Sequence, residues 1–96
     1  MKFALSLERD STIESIDLSG NMISDSGGEL LGLSLADNRS LRYLNLRKNT
    51  LRATSGATFA QSMKKNTKMK CLLLEENSIN INHLEQIDAL ITRNNS

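Results

Sequence analysis

Ile13-x-x-Ile16-x-Leu18-x-x-Asn21-x-Ile23 returns 28 residues later as Leu41-x-x-Leu44-x-Leu46-x-x-Asn49-x-Leu51. It returns again, 28 further on, as Met69-x-x-Leu72-x-Leu74-x-x-Asn77-x-Ile79. Aliphatic or Met residues and one asparagine hold this spacing without an insertion, so successive units stack on one another in the same geometry. The register divides a single array, residues 1–96, into repeat one (11–38), repeat two (39–66) and repeat three (67–96).

Within each unit, Ile16/Leu18, Leu44/Leu46 and Leu72/Leu74 alternate with outward residues. That period of two predicts a short strand with one buried face. Identically oriented copies must pair in parallel, with a crossover returning over the strand layer. The crossover reads as helix, because Gly28, Leu31, Gly32 and Leu35 recur as Gly56, Phe59, Ala60 and Met63 at i, i+3, i+4 and i+7. Ser24 and Asp25 in unit one, and Thr54 and Ser55 in unit two, are the expected helix-start caps. Asn38, Asn66 and Asn94, again 28 apart, are expected to end the helices in the left-handed conformation that asparagine tolerates. The other column, Asn21, Asn49 and Asn77, follows each strand and is expected to form a ladder of amides bonded to turn backbone.

A core of the form LxxLxLxxNxL with a 28-residue period and a small residue within the crossover helix resembles leucine-rich repeats of the ribonuclease-inhibitor type. The resemblance spans essentially the whole chain. It implies an α/β fold, a leucine-rich-repeat solenoid forming a horseshoe segment, with parallel strands on the concave side and helices on the convex side. Its functional range includes ribonuclease inhibitors, Ran GTPase-activating proteins, tropomodulins, innate-immune sensors and ciliary or cytoskeletal scaffolds. Counting back one period from Leu31, Leu35 and Asn38 reaches Phe3, Leu7 and Asp10, so residues 1–10 are expected to be the helix of a truncated repeat. At the other end Asp88 stands where Gly32 and Ala60 stood, and the third repeat is expected to lie near the C-terminal end of the array.

Composition narrows the function. Twelve Lys and Arg against 11 Asp and Glu give a net charge of +1 without a basic stripe, which disfavours nucleic acid. No apolar run approaches the roughly 20 residues that span a bilayer. Cys71 is the only cysteine and His83 the only histidine, so neither a disulfide framework nor a zinc site is expected, and the setting reads as reducing and cytoplasmic. Asn38 and Asn94 head N-x-S/T tripeptides of a kind that occurs often by chance. There is no nucleophile elbow and no phosphate-binding loop, and the Gly27-Gly28 pair lacks a following Lys-Ser/Thr. The chain is therefore not expected to be an enzyme or to need a cofactor.

What remains is the outward strand face. The register stacks Ser15/Tyr43/Cys71, Asp17/Asn45/Leu73 and Ser19/Arg47/Glu75 at about 4.8 Å separation. Glu14 with Arg42, Arg47 with Glu75 and Lys48 with Glu76 are expected cross-unit charge pairs. Tyr43, Asn45, Arg47, Cys71, Leu73 and Glu75 form the candidate partner-binding set, since Tyr and Arg are frequent hot-spot residues and Leu73 is apolar where the pattern does not require it. The resulting expectation is a protein-binding scaffold or adaptor that uses its concave face and belongs to a longer chain or larger assembly. A structural brace in a cytoskeletal, ciliary or axonemal assembly is the alternative. A GTPase activator resembling the Ran regulators, with Arg47, Lys48 and Asn49 on its rim, is a lesser one.

Overall fold

A computed structural model describes residues 12–96. The helix expected over residues 1–10, with Phe3, Leu7 and Asp10, lies outside the described residues. Three strands, β1 (Ser15–Asp17), β2 (Tyr43–Asn45) and β3 (Cys71–Leu73), alternate with three helices, α1 (Asp25–Leu35), α2 (Ala53–Lys65) and α3 (Ile81–Asn94). The strands form one parallel sheet in the order β1-β2-β3, and Ser15, Tyr43 and Cys71 stand side by side in register. Mixed α/β architecture and the 28-residue register are thus both realised.

The core lies between the sheet and the helices. Leu41, Leu44, Leu46 and Leu51 of unit two have no exposed surface, and neither do Leu31 and Leu35 of α1 or Phe59 and Met63 of α2. In the outer units Ile13, Ile16 and Leu18, and Leu72 and Ile91, are only partly buried around that centre, whereas Met69 has no exposed surface. Along the strands, Leu44 of the middle unit is thus more completely covered than Ile16 and Leu72 on either side of it, as stacking implies.

Glycine sets the approach of the helices where the packing is tightest. A Cβ on Gly28 would lie 2.2 Å from Ser55 Oγ and 2.6 Å from Leu51 Cδ2, so α1 meets unit two through bare backbone. A Cβ on Gly56 would similarly meet Ile79 at 2.7 Å.

Two helix starts use a local cap: Ser24 Oγ accepts from Gly27 N–H at 3.2 Å, and Asn80 Oδ1 accepts from Asn82 N–H at 2.7 Å. The start of α2 departs from expectation. Its cap position is Arg52, whose side chain bonds no backbone N–H there, and the Thr54 and Ser55 side chains do not cap it either. Asp25 of the preceding unit supplies the acceptors instead, receiving Arg52 N–H at 2.9 Å, Ser55 N–H at 2.8 Å and Thr54 N–H at 3.2 Å. A carboxylate on the positive end of a helix is favourable for charge as well as for hydrogen bonding.

The Asn38/Asn66/Asn94 column is also corrected. None of the three adopts positive φ; Asn66 is extended at φ −81° and ψ 113°, and Asn94 still belongs to α3. Their side chains are buried and end the helices by other means. Asn66 Oδ1 accepts from Lys68 and Met69 N–H, while its Nδ2 donates back to the carbonyls of Leu35 and Asn38 in the previous unit. Asn94 Nδ2 likewise donates to the Asn66 and Met69 carbonyls. With these amides enclosed, Asn38 and Asn94 are not available as glycosylation acceptors.

Besides Met22, left-handed backbone occurs shortly after each strand, at Gly20, Lys48 and Glu76, with φ of 66°, 59° and 61°. These follow the 28-residue period and bend each chain out of its strand. Directly after them the Asn21/Asn49/Asn77 column forms the expected ladder. Asn49 Oδ1 accepts from Asn21 and Ile23 N–H of unit one, and its Nδ2 donates to the Leu18 and Leu46 carbonyls. Asn77 repeats this, accepting from Leu51 N–H and donating to Leu46 and Leu74 carbonyls.

Candidate functional site on the strand face

Parallel pairing brings all three sequence-derived columns onto one face. Tyr43 and Cys71 lie adjacent in the ladder, and Asn45 pairs with Leu73. Arg47 and Glu75 lie just beyond it, joined by two hydrogen bonds, Nε to Oε1 at 3.1 Å and Nη2 to Oε2 at 3.4 Å. The fork-to-carboxylate geometry holds the guanidinium in a fixed plane. Glu75 is held below, and Arg47 above, its ordinary titration range, in each case first by this hydrogen bond.

Tyr43, Cys71 and Leu73 are half-buried and so offer a shallow apolar strip, with the Arg47–Glu75 pair at its end. On the unit-one side the strip turns polar. Asp17 accepts from the Ser19 hydroxyl at 2.7 Å and the Ser19 N–H at 2.9 Å, bonds that lower its carboxyl titration. Asn45 is the least exposed member of the set on this face. It is 9% exposed, and its Oδ1 accepts from Arg47 N–H at 3.1 Å, so its amide supports the turn under Arg47.

The other two expected charge pairs do not form. Arg42 turns its guanidinium to the Arg39 carbonyl at 2.9 Å, a nearby acceptor that competes with the more distant Glu14. Lys48 and Glu76 are long, exposed side chains, for which the entropy of immobilisation offsets the attraction. Among the described residues a pair on the helix side was missed by sequence reasoning: Lys65 Nζ lies 2.5 Å from Asp37 Oδ1. Its 28-residue separation was the available signal.

His83 lies in the first turn of α3 and is not a freely solvated side chain. Its Nδ1 is buried without a hydrogen-bond partner, against the space left by Gly56. Among the described residues no cluster of His, Cys, Asp or Glu could hold a metal ion, and no helix is long and apolar enough to cross a membrane.

The Leucine Rich repeat family model matches residues 9–32 and 37–60, two segments offset by the same 28 residues that organise the sheet. The chain belongs to the leucine-rich-repeat family. No curated protein matches the sequence. Among solved structures, the leucine-rich-repeat fold seen here is similar to leiomodin-1 actin-binding site 2, with a TM-score of 0.75 at 14% identity, covering 97% of this chain and 70% of that one. It is also similar to the tropomodulin C-terminal domain of Caenorhabditis elegans, with a TM-score of 0.81 at 11% identity, covering 97% of this chain and 57% of that one. At such identities the likeness is one of fold.

Proposed function

We propose that these leucine-rich repeats form a protein-binding module of the ribonuclease-inhibitor type, acting as a scaffold or adaptor without a reaction of its own. In this reading repeats 11–38, 39–66 and 67–96 form a horseshoe segment whose strand layer is the concave, partner-facing side. The observation that carries it is the strip of Tyr43, Cys71 and Leu73 ending in the pre-oriented Arg47–Glu75 fork. A partly apolar strip with an aromatic residue, next to a planar cation already held in place, loses little side-chain entropy on binding.

The partner class we favour is a cytoskeletal protein in the cytoplasm, because one similar solved structure is actin-binding site 2 of leiomodin-1. Co-sedimentation with filamentous actin tests this directly. Tyr43→Ala, Arg47→Ala and Leu73→Ala combined are expected to reduce bound protein at least about tenfold, the loss of more than one moderate hot spot. Circular dichroism of the triple variant must match the native chain. Full retention of actin by the triple variant would rule out the strand face, and no binding by the native chain would rule out actin. A Ran-regulator-like role through Arg47, Lys48 and Asn49 has less support, since Asn49 is 7% exposed and fully bonded to turn backbone.

A further inference from the structure

On the outer side of the helix layer, away from the sheet, α1 and α2 border an open depression of about 730 Å³. Leu33 and Ala36 line it from the first unit, and Ala57, Thr58, Lys64 and Lys65 line it from the second. The small side chains of Ala36 and Ala57 leave room for side chains from elsewhere, and Leu33 stands 57% exposed beside them. The repeat does not call for that leucine, since its equivalents are Gln61 and Ala89. A single exposed leucine on a flat surface is ordinary, whereas one that borders a hollow floored by alanines adds to a continuous apolar patch.

Charge around the depression is uneven. Lys65 Nζ reaches across to Asp37 Oδ1 at 2.5 Å, and Arg39, whose Nη1 donates to the Ala36 carbonyl at 3.4 Å, adds its attraction to the same carboxylate. Lys64 has no acidic partner among the described residues. One carboxylate thus faces three cations, which leaves two positive charges unmatched. Glu29 and Glu85 share the column of Ala57, about two helical turns from Lys64 toward the helix starts. A lysine in a last turn ordinarily serves the free carbonyls of the helix end. Here other donors hold those carbonyls: Arg93 Nη2 bonds those of Met63 and Asn66, Asn66 Nδ2 that of Leu35, and Ser62 Oγ that of Gly32. Lys64 is therefore not committed to either helix end.

We propose that this depression is a second docking surface, which takes an acidic amphipathic segment of a partner protein. Apolar side chains of the segment enter beside Leu33 and Ala57, and its carboxylates meet Lys64 and Arg39. The surplus of positive charge selects an acidic occupant, and the Lys65–Asp37 bond bounds the end of the site where its carboxylates lie. An anionic bilayer would meet the same cations, but it favours apolar side chains that stand out from a surface, and those here border a hollow. The surface lies across the core from the strand face and does not depend on what binds there.

The probes are two fluorescein-labelled helical peptides of about four turns, each with leucines at i, i+3 and i+4. One carries glutamate and alanine at its remaining positions, the other lysine and alanine. In fluorescence anisotropy with the full chain, the glutamate peptide is expected to bind one to one with a Kd on the order of 10–100 μM, and the lysine peptide at least about tenfold more weakly. Leu33→Glu, at an exposed position, is expected to raise the Kd of the glutamate peptide at least about tenfold, and Lys64→Glu about three- to tenfold, with circular dichroism unchanged. The Tyr43→Ala, Arg47→Ala and Leu73→Ala triple variant is expected to stay within about twofold of native, which separates this surface from the strand face. Vesicles containing phosphatidylserine are expected to retain no protein. The proposal is overturned by a glutamate peptide that shows no saturable binding, by equal binding of the two peptides, or by Leu33→Glu or Lys64→Glu chains that bind like native. Loss of binding in the strand-face triple variant overturns it as well, as does vesicle retention that Leu33→Glu abolishes.

Discussion

Asp25 contributes more than its sequence position suggests, because one side chain completes the first turn of a helix in the next unit. Partial burial raises its titration, but the bonds from the Ser55 side chain and backbone, Arg52 N–H and Thr54 outweigh this and hold the carboxyl far below its ordinary 3.8. Native protein thus binds this proton less readily than unfolded chain, so the contribution is complete above about pH 4 and is lost as pH falls through the folded value. Native and Asp25→Asn chains compared by urea titration are expected to differ at neutral pH and converge in acid; a constant difference would remove Asp25 as the cause. Asp25→Ala is expected to cost about 1–2 kcal/mol at neutral pH, the range of a lost cap, with exchange at the Thr54 and Ser55 amides increasing most. Gly28→Ala is expected to destabilise by about 1–3 kcal/mol, because its Cβ would displace Ser55 Oγ or the Leu51 methyl. Lys48→Gly works in the opposite direction, since a left-handed residue with a Cβ costs about 1 kcal/mol that glycine avoids. Thermal unfolding of these variants checks both signs.

At the level of elements, the strands and helices were legible because each repeats its apolar offsets three times, and the Asn49 ladder was legible for the same reason. The cap on α2 was not. Its column reads Asp25, Ala53, Ile81, and a feature made once leaves no periodic trace. The left-handed column reads Gly20, Lys48, Glu76, so two of its three members carry none of the usual signal. The candidate strand face was legible in placement but not in detail. Pairing register follows from the period, whereas the engagement of the Asn45 amide depends on a turn N–H two residues away. The most consequential element junction is Asn66, whose fully buried amide joins the end of α2 to unit one and to the chain entering β3. Asn66→Ala strands two donors and two acceptors, and a loss of about 2–4 kcal/mol is expected, read as a drop in denaturant midpoint at unchanged m-value.

Over the whole molecule, stability concentrates in the middle unit, where neighbours cover both sides. Phe59→Ala is expected to cost about 3–5 kcal/mol, as for a fully buried ring. Ile16→Ala, at a partly buried position of the first strand, is expected to cost no more than half as much. Equal losses at the two sites would contradict a nearest-neighbour array and indicate a single closed core. The family was legible in a motif repeated without insertion. The proposed partner surface was not, since Tyr43 and Leu73 occur once each on the strand face and leave no periodic trace.

The asparagines that join units also give the stack a direction in time. Asn49 receives the Asn21 and Ile23 N–H groups and donates to the Leu18 carbonyl, and Asn66 donates to the Leu35 and Asn38 carbonyls. In each case the later residue closes bonds left open by the earlier unit. A chain leaving the ribosome therefore exposes unit one with its turn incomplete until Asn49 has emerged, after which the second turn waits for Asn77 in the same way. Stalled nascent chains should gain protease resistance in two steps, one after residue 49 and one after residue 77, so that assembly follows the order of translation.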